Sequence, residues 1–257
     1  MRAFLCALLL LLFRADSRAS VINLSSADNA LDVIAKSGVD GVGFVLFSDA
    51  LVDGALAASF FRVAERLRGR AAFFEAHSSL ASALGVGEAA GAGACVARII
   101  KGSPAVLLRS ISEAKEAPAS AVATVVDDPS ALSQADSKLL GWVLQHRWPP
   151  LVKLTDQNYA AITADGRPVV ILFKAEDGSD KTKAASFAVE AISDSLTTPL
   201  PPASLAKFLF ATVSISDAKL LALRYVGTET AFIVFDNAGK RYWSDNTVFE
   251  LEDLETL

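Results

Sequence analysis

The sequence predicts an α/β protein built from two similar units in tandem, each with a mixed central sheet flanked by helices. Two continuous apolar runs, Val42–Phe47 and Pro168–Phe173, are typical of strands that are covered on both faces. Segments with helical periodicity surround both runs, and Pro149-Pro150 separates the two copies because proline cannot continue a helix. Hydrophobic residues make up 52% of the 257 residues, which supplies a core and excludes a disordered protein.

Composition also limits the partners and the chemistry. The net charge is −5 and no cluster of Lys and Arg stands out, which argues against nucleic acid or an anionic membrane surface as the main partner. Cysteine and histidine occur only as Cys6, His77, Cys95 and His146. Their spacing fits neither a zinc ribbon nor a Cys-x-x-Cys centre, so we expect no metal site and no cofactor.

The first 19 residues predict a secretory signal peptide. Arg2 provides a positive charge, Phe4–Phe13 is an apolar run too short to span a bilayer, and Ser17-Arg18-Ala19 places small residues at a cleavage site. A mitochondrial presequence is the alternative, but Asp16 counts against it. We expect cleavage after Ala19, no membrane span in the mature chain, and a location in the lumen of the endoplasmic reticulum or outside the cell.

The first predicted unit covers residues 20–148. It opens with a strand at Val21–Leu24, and Ser26 can cap the helix that follows and ends at Gly38. After the strand Val42–Phe47, apolar residues at helical spacing predict a helix from about Leu51 to Leu67. The remaining elements are a strand Ala71–Glu75, a short helix Ser78–Leu84, a strand Cys95–Ile100, an edge strand Pro104–Arg109 and a long helix that ends near Trp148.

The second predicted unit, residues 149–257, repeats this order, and its last helix would be cut short by the end of the sequence. A turn at Asn237-Ala238-Gly239 predicts a hairpin. Because helices connect the first three strands of each unit, those strands should be parallel. The elements are strands Leu151–Leu154, Pro168–Phe173, Lys207–Val213, Thr230–Phe235 and Arg241–Trp243, and helices Gln157–Ala164, Lys181–Leu196 and Asp217–Tyr225.

Residues 142–159 carry a more specific pattern. A helix containing Trp142 and Trp148 runs into Pro149-Pro150, and a strand then ends in Thr155-Asp156. The order of elements resembles the thioredoxin fold and, more narrowly, the two non-catalytic domains called b and b-prime in the middle of protein disulfide isomerases. The resemblance covers nearly all of the chain after residue 19. It departs from the family where Ser214 and Ser216 replace the Asp that normally ends the third strand.

The resemblance also shows what the chain lacks. A catalytic domain of that family needs Cys-x-x-Cys directly after its second strand, where a helix N-terminus lowers the pKa of the first thiol. The matching positions read Ser48-Asp49-Ala50-Leu51 and Lys174-Ala175-Glu176-Asp177, and no proline stands near Ala94-Cys95 or Thr230-Ala231, where the family has its cis-proline. We therefore expect no catalytic residues. Cys95 either forms a mixed disulfide with a client or is a small apolar residue of a buried strand.

In the family, the b-prime domain binds unfolded polypeptides in a hydrophobic groove between its first and third helices. The partners would be unfolded or partly folded polypeptides, or another chaperone of the lumen. Two or three buried client side chains, at ~1.5–3 kcal/mol each, would give micromolar to millimolar binding. Carried over by position, the resemblance implies a peptide-binding site at Tyr159, Ile162, Phe173, Leu220, Leu223 and Tyr225.

Other interpretations stay open. On periodicity alone, Leu220 and Leu223 could pack on the sheet, which leaves Tyr159 as the better exposed contact. The chain could also be a fragment of a full-length isomerase whose Cys-x-x-Cys domain lies beyond residue 257. A glutathione-dependent transferase is disfavoured, because its second half would be helical. Asn23-Leu24-Ser25 is an N-glycosylation sequon, and the sequence leaves its use undecided.

Overall fold

The computed structural model describes residues 20–37, 40–48, 54–87, 94–114, 126, 132–197, 207–226, 229–235 and 241–244. They form two compact units, which divide between Arg147 and Trp148. The predicted signal peptide and the predicted last helix of the second unit lie outside the described residues. Within the ranges given above, no helix combines the length and the apolar character needed to cross a membrane.

Unit 1 contains a five-stranded mixed sheet. The strand order is β1-β3-β2-β4-β5, in which β1, β3 and β2 are parallel and β4 and β5 are antiparallel to their neighbours. The strands are β1 (Val21–Leu24), β2 (Val42–Phe47), β3 (Ala72–Ala76), β4 (Cys95–Ile100) and β5 (Val106–Leu108), and the helices are α1 (Ala30–Ser37), α2 (Ala55–Arg66) and α3 (Gln134–His146).

Unit 2 repeats this topology. Strands β6, β8 and β7 are parallel, β9 and β10 continue the sheet in antiparallel pairs, and the order is β10-β9-β7-β8-β6. The predicted fold class, two tandem thioredoxin-like domains, is therefore confirmed. The strands are β6 (Leu151–Lys153), β7 (Val169–Lys174), β8 (Leu209–Ser214), β9 (Ala231–Phe235) and β10 (Arg241–Ser244), and the helices are α4 (Tyr159–Thr163), α5 (Asp180–Thr197) and α6 (Lys219–Tyr225).

The core of unit 1 is centred on β2, all six residues of which are buried. On one face, the ring centroid of Phe44 lies 5.6 Å from Phe73 and 5.7 Å from Trp142 of α3. On the other face, Gly43 allows α1 and β3 to approach closely. A Cβ at that position would lie 2.6 Å from Ile34 Cγ2 and 2.8 Å from the ring of Phe74.

A charged pair joins α2 to α3 on the same face as Trp142. Arg62 Nε donates to both carboxylate oxygens of Asp136, at 3.1 and 3.0 Å, and its Nη2 donates at 2.9 Å. Ser133 caps α3 by accepting the backbone N–H of Asp136 at 3.1 Å. Burial would raise the pKa of Asp136, but hydrogen bonds from Arg62, Ser133 and Ser59 outweigh it and hold that pKa below its ordinary value.

Two predicted elements differ from the observed ones beyond shifts of a few residues at their ends. The helix expected at Ser78–Leu84 is a 3-10 turn at Ser78–Leu80, capped by the ring of His77 and followed by further turns. On α5, helical periodicity predicts an apolar stripe of Ala184, Phe187, Ala188 and Ile192, but the buried stripe is Ala185, Val189 and Ile192. Both stripes fit the helical period, and the observed one places β-branched side chains against the sheet.

Candidate functional site

Lys174, the last residue of β7, and Ala175–Asp177 after it are the positions at which the resemblance places the redox motif of a catalytic domain. Buried Thr230, directly before β9, accepts the backbone N–H of Ala175 at 3.0 Å. The hydroxyls of Thr182 and Thr230 lie 2.6 Å apart, and Thr182 donates to the Asp177 carboxylate at 2.9 Å. Hydroxyl and carboxylate groups therefore surround the segment in which the resemblance would place the thiols of a catalytic domain.

The same hydrogen-bond network caps the N-terminus of α5. Ser179 Oγ accepts the backbone N–H of Thr182 at 3.2 Å, and the backbone N–H of Ser179 donates to Asp177 at 3.0 Å. Hydrogen bonds from the backbone of Ser179, and then from the side chains of Ser179 and Thr182, lower the pKa of Asp177. The positive end of the helix is thus met by the chain's own carboxylate and hydroxyl groups.

A second carboxylate group, that of Glu176, faces the end of β8. Ser214 Oγ donates to Glu176 Oε1 at 2.7 Å, and Ser216 donates to the same oxygen. These hydrogen bonds, that from Ser216 first, lower the pKa of Glu176. Ser214 and Ser216 are the residues that replace the family's Asp. Glu176 from the neighbouring strand end supplies an acidic group beside them, which the sequence pattern did not predict.

In unit 1, the matching segment begins at Ser48, and Asp49, Ala50 and Leu51 lie outside the described residues. Cys95 lies opposite Phe47 in the pairing of β4 with β2 and is only 2% exposed. Burial raises the pKa of its thiol, and the positive charge of Arg109 opposes that shift only in part. This environment is typical of a packed, unreactive cysteine.

Four rings form an aromatic cluster on one face of the second sheet: Tyr159, Phe173, Tyr225 and Phe235. The hydroxyls of Tyr159 on α4 and Tyr225 on α6 lie 2.6 Å apart. The ring centroid of Tyr225 lies 5.6 Å from that of Phe235 and 6.3 Å from that of Phe173. The cluster fixes α4 and α6 to each other and to the strands beneath them.

The predicted peptide-binding residues lie at different depths around this cluster. Ile162 and Phe173 are fully buried and Tyr225 nearly so, which makes them the packing layer below the surface. Tyr159 is partly exposed, and Leu220 is 74% exposed on α6. The backbone of Leu223 belongs to α6, but its side chain lies outside the described residues.

Sequence reasoning missed Phe235 and Thr230 as neighbours of the site. Phe235 ends β9 and contacts both tyrosines of the cluster. The alternation along β9 could have placed Phe235 on the same face as Ile233, but only the strand order brings that face to α4 and α6. The only sequence signal for Thr230 is its position, where the family has its cis-proline. That position does not show which groups the threonine contacts.

Both histidines have a ring nitrogen close to an oxygen atom of a neighbouring residue. His77 Nδ1 lies 2.9 Å from Ser79 Oγ, and His146 Nδ1 lies 2.7 Å from the backbone oxygen of Trp142. Among the residues that the structure describes, no group of three or more His, Cys, Asp or Glu is arranged to hold a metal ion.

No family model matches the chain, and no curated protein matches it. Among solved structures, the bb fragment of ERp72 is similar at 16% identity and a TM-score of 0.56, and the match covers 92% of this chain and 94% of that chain. Human ERp44 form I matches at 13% identity and a TM-score of 0.45, covering 95% of this chain and 55% of that one. The form II structure of ERdj5 matches at 12% identity and a TM-score of 0.33, covering 92% and 28%. The resemblance to tandem b and b-prime domains is thus confirmed at the level of the fold: this chain has the tandem thioredoxin-like fold of the bb fragment of ERp72.

Proposed function

We propose that the chain is a redox-inactive folding assistant of the protein disulfide isomerase type. It binds unfolded or partner polypeptides in the lumen of the endoplasmic reticulum or outside the cell. The observation that carries the proposal is the network of Asp177, Thr182 and Thr230, which holds the redox position of unit 2 without a thiol. The fold shared with the bb fragment of ERp72 and the predicted signal peptide support the same proposal.

Dithiol–disulfide exchange needs an accessible thiolate beside a second thiol. After removal of the signal peptide, Cys95 is the only cysteine left, and its thiol is buried with a raised pKa. We therefore expect the protein to leave the rate of insulin reduction by dithiothreitol unchanged, and the Cys95→Ser variant to behave in the same way. Acceleration that depends on Cys95 would contradict the redox-inactive assignment.

The polypeptide-binding surface that we propose lies on the α4–α6 side of the second sheet. Leu220 provides an exposed apolar anchor on α6, and the edge of Tyr159 provides an aromatic contact with a polar hydroxyl. Ile162, Phe173 and Tyr225 support this surface from below. Burial of one leucine side chain stabilises a complex by ~1.5–3 kcal/mol, which suits weak binding that must be released.

A matched pair of variants tests the surface. Phe187 on α5 is also 74% exposed, but α5 packs on the opposite face of the same sheet from the aromatic cluster. We expect Leu220→Ala to weaken the binding of a fluorescent unfolded peptide about tenfold, which corresponds to ~1.4 kcal/mol. Phe187→Ala should leave the affinity unchanged.

Fluorescence anisotropy measures both affinities, and circular dichroism confirms that each variant is folded. Tyr159→Ala should also weaken binding, whereas Tyr159→Phe keeps the ring and should have the smaller effect. Equal weakening by Leu220→Ala and Phe187→Ala would show unspecific adhesion, and no binding by the unmodified protein would remove the proposed function.

A further inference from the structure

Strand β1 forms a free edge of the sheet in unit 1. Within the described residues, it pairs with β3 on one side only. Leu24 is buried in the core, but Ile22 is 45% exposed and Asn23 is exposed as well. An edge strand with unpaired backbone groups and an exposed apolar side chain is a template for association with another chain, and proteins protect such edges.

The corresponding edge of unit 2 is protected by a charge. In unit 2, Lys153 of β6 lies in the row formed with Thr212 and Leu172. In unit 1, Asn23 of β1 lies in the equivalent row with Glu75 and Leu46. Lys153 is exposed and pairs with Asp217 at 3.2 Å. Lysine on an edge strand is one of the common devices against edge-to-edge pairing.

At the equivalent position, unit 1 carries the asparagine of Asn23-Leu24-Ser25, and β1 contains no charged residue. Successive side chains of a strand point to opposite faces, so Asn23 lies on the face opposite Leu24, where Val21 packs against the other core of the unit. Asn23 and Ser25 are both exposed. A large group attached to Asn23 would therefore displace no core residue.

We propose that Asn23 carries an N-linked glycan and that this glycan covers the free edge of the first sheet. The side-chain nitrogen Nδ2 loses a proton and forms a bond to C1 of the first sugar. The donor is a lipid-linked oligosaccharide diphosphate, whose C1–oxygen bond breaks as the lipid diphosphate leaves. The modification rests on the lumenal location in the proposed function, because this donor acts in the secretory pathway.

The glycan is tested by translation of the full chain in the presence of microsomes. We expect the protein without substitutions to show one step of reduced mobility on a gel, and peptide N-glycosidase should reverse it. The Ser25→Thr variant keeps the sequon and should show the same step. The step should be absent in Asn23→Gln and in Ser25→Ala. Ser25→Thr and Ser25→Ala are matched controls, because both change only one exposed residue outside the core.

Protease protection in the same reactions separates the two possible failures. A protected chain without the mobility step would overturn the glycan and leave the lumenal location intact. An unprotected chain would overturn the location, and the glycan with it.

The covering role has its own readout. The Asn23→Gln variant, which carries neither a glycan nor a charge at this position, should associate more than the glycosylated protein, measured by light scattering. Asn23→Lys, which places the residue of the unit 2 edge in unit 1, should remain monodisperse without a glycan. If Asn23→Gln scatters as little as the glycosylated protein and Asn23→Lys, the edge needs no cover and this role is wrong.

Discussion

Arg98 lies on β4 between Phe44 of β2 and Val106 of β5, and its side chain is 9% exposed. Its Nε–H has no hydrogen-bond partner in the part of the chain that the structure describes, and burial lowers the pKa of the guanidinium to about 10. A largely buried charged group with an unsatisfied N–H donor destabilises the folded state. We therefore expect Arg98→Met, which keeps the packed stem, to raise the free energy of unfolding by ~1–3 kcal/mol.

Urea denaturation of the two proteins measures this difference. A loss of stability in Arg98→Met would contradict the prediction, because it would mean that the guanidinium makes a net stabilising interaction.

Asp136 is the opposite case, a buried carboxylate with a partner. Removing its charge in Asp136→Asn would leave Arg62 without its ion pair, and we expect a loss of ~2–3 kcal/mol. The folded-state pKa lies below the ordinary value of 3.8, so the pair stabilises the protein above that pH. This stability is lost as the pH falls through the lowered pKa.

Unfolding measured against pH should therefore show a steeper acid loss in the unmodified protein than in Asp136→Asn. Parallel curves would indicate that other carboxylates account for the acid dependence.

At the scale of elements, Gly43 determines how closely α1 packs on the sheet. A methyl group there would meet Ile34 and Phe74 at distances that real Cβ atoms do not show. We expect Gly43→Ala to lower the free energy of unfolding by ~1–3 kcal/mol through overpacking. Combining it with Ile34→Ala should cost less than the sum of the two single changes, because the smaller side chain makes room.

The starting protein, the two single variants and the double variant form a double-mutant cycle, and thermal and urea denaturation measure the stability of all four. Strict additivity would show that the methyl group at position 43 is accommodated without displacing Ile34.

Elements were predictable where the pattern had one solution. The continuous apolar run Val42–Phe47 matches β2 residue for residue, because six residues rich in Val and Phe are too short for a buried helix and fit a strand covered on both faces. Helix α5 was ambiguous, since two stripes fit the same period and Phe187 belongs to the exposed one. The site was harder to predict, because Leu220 had to be classed as packed or exposed from a helix of only seven residues.

The contacts of Thr230 with Ala175 and Thr182 illustrate a further limit. They join residues far apart in sequence, and only the pairing of β9 with β7 brings them together. A sequence pattern can show that a thiol is missing, but it does not show which groups occupy the space instead.

At the scale of the whole molecule, each unit has a core made from its own residues. We therefore expect the pieces 20–147 and 148–257 to fold separately. The second piece needs its first residue, because Trp148 Nε1 donates to buried Asp165 at 2.8 Å, and Asp165 also pairs with Arg167 at 2.5 Å. In a piece beginning at Pro150, the carboxylate of Asp165 would lose the hydrogen bond from Trp148. We expect the free energy of unfolding of this piece to be lower by ~1–3 kcal/mol.

Circular dichroism and amide dispersion in NMR spectra would show whether each piece is folded, and urea denaturation would compare the two versions of the second piece. Equal stability of the pieces that begin at Trp148 and Pro150 would contradict the role of the Trp148–Asp165 hydrogen bond. If the isolated second piece is unfolded while the full chain is folded, the units are not independent, because the second sheet would then depend on residues before 148. In that case the polypeptide-binding surface at Leu220 would also have to be studied in the full chain alone.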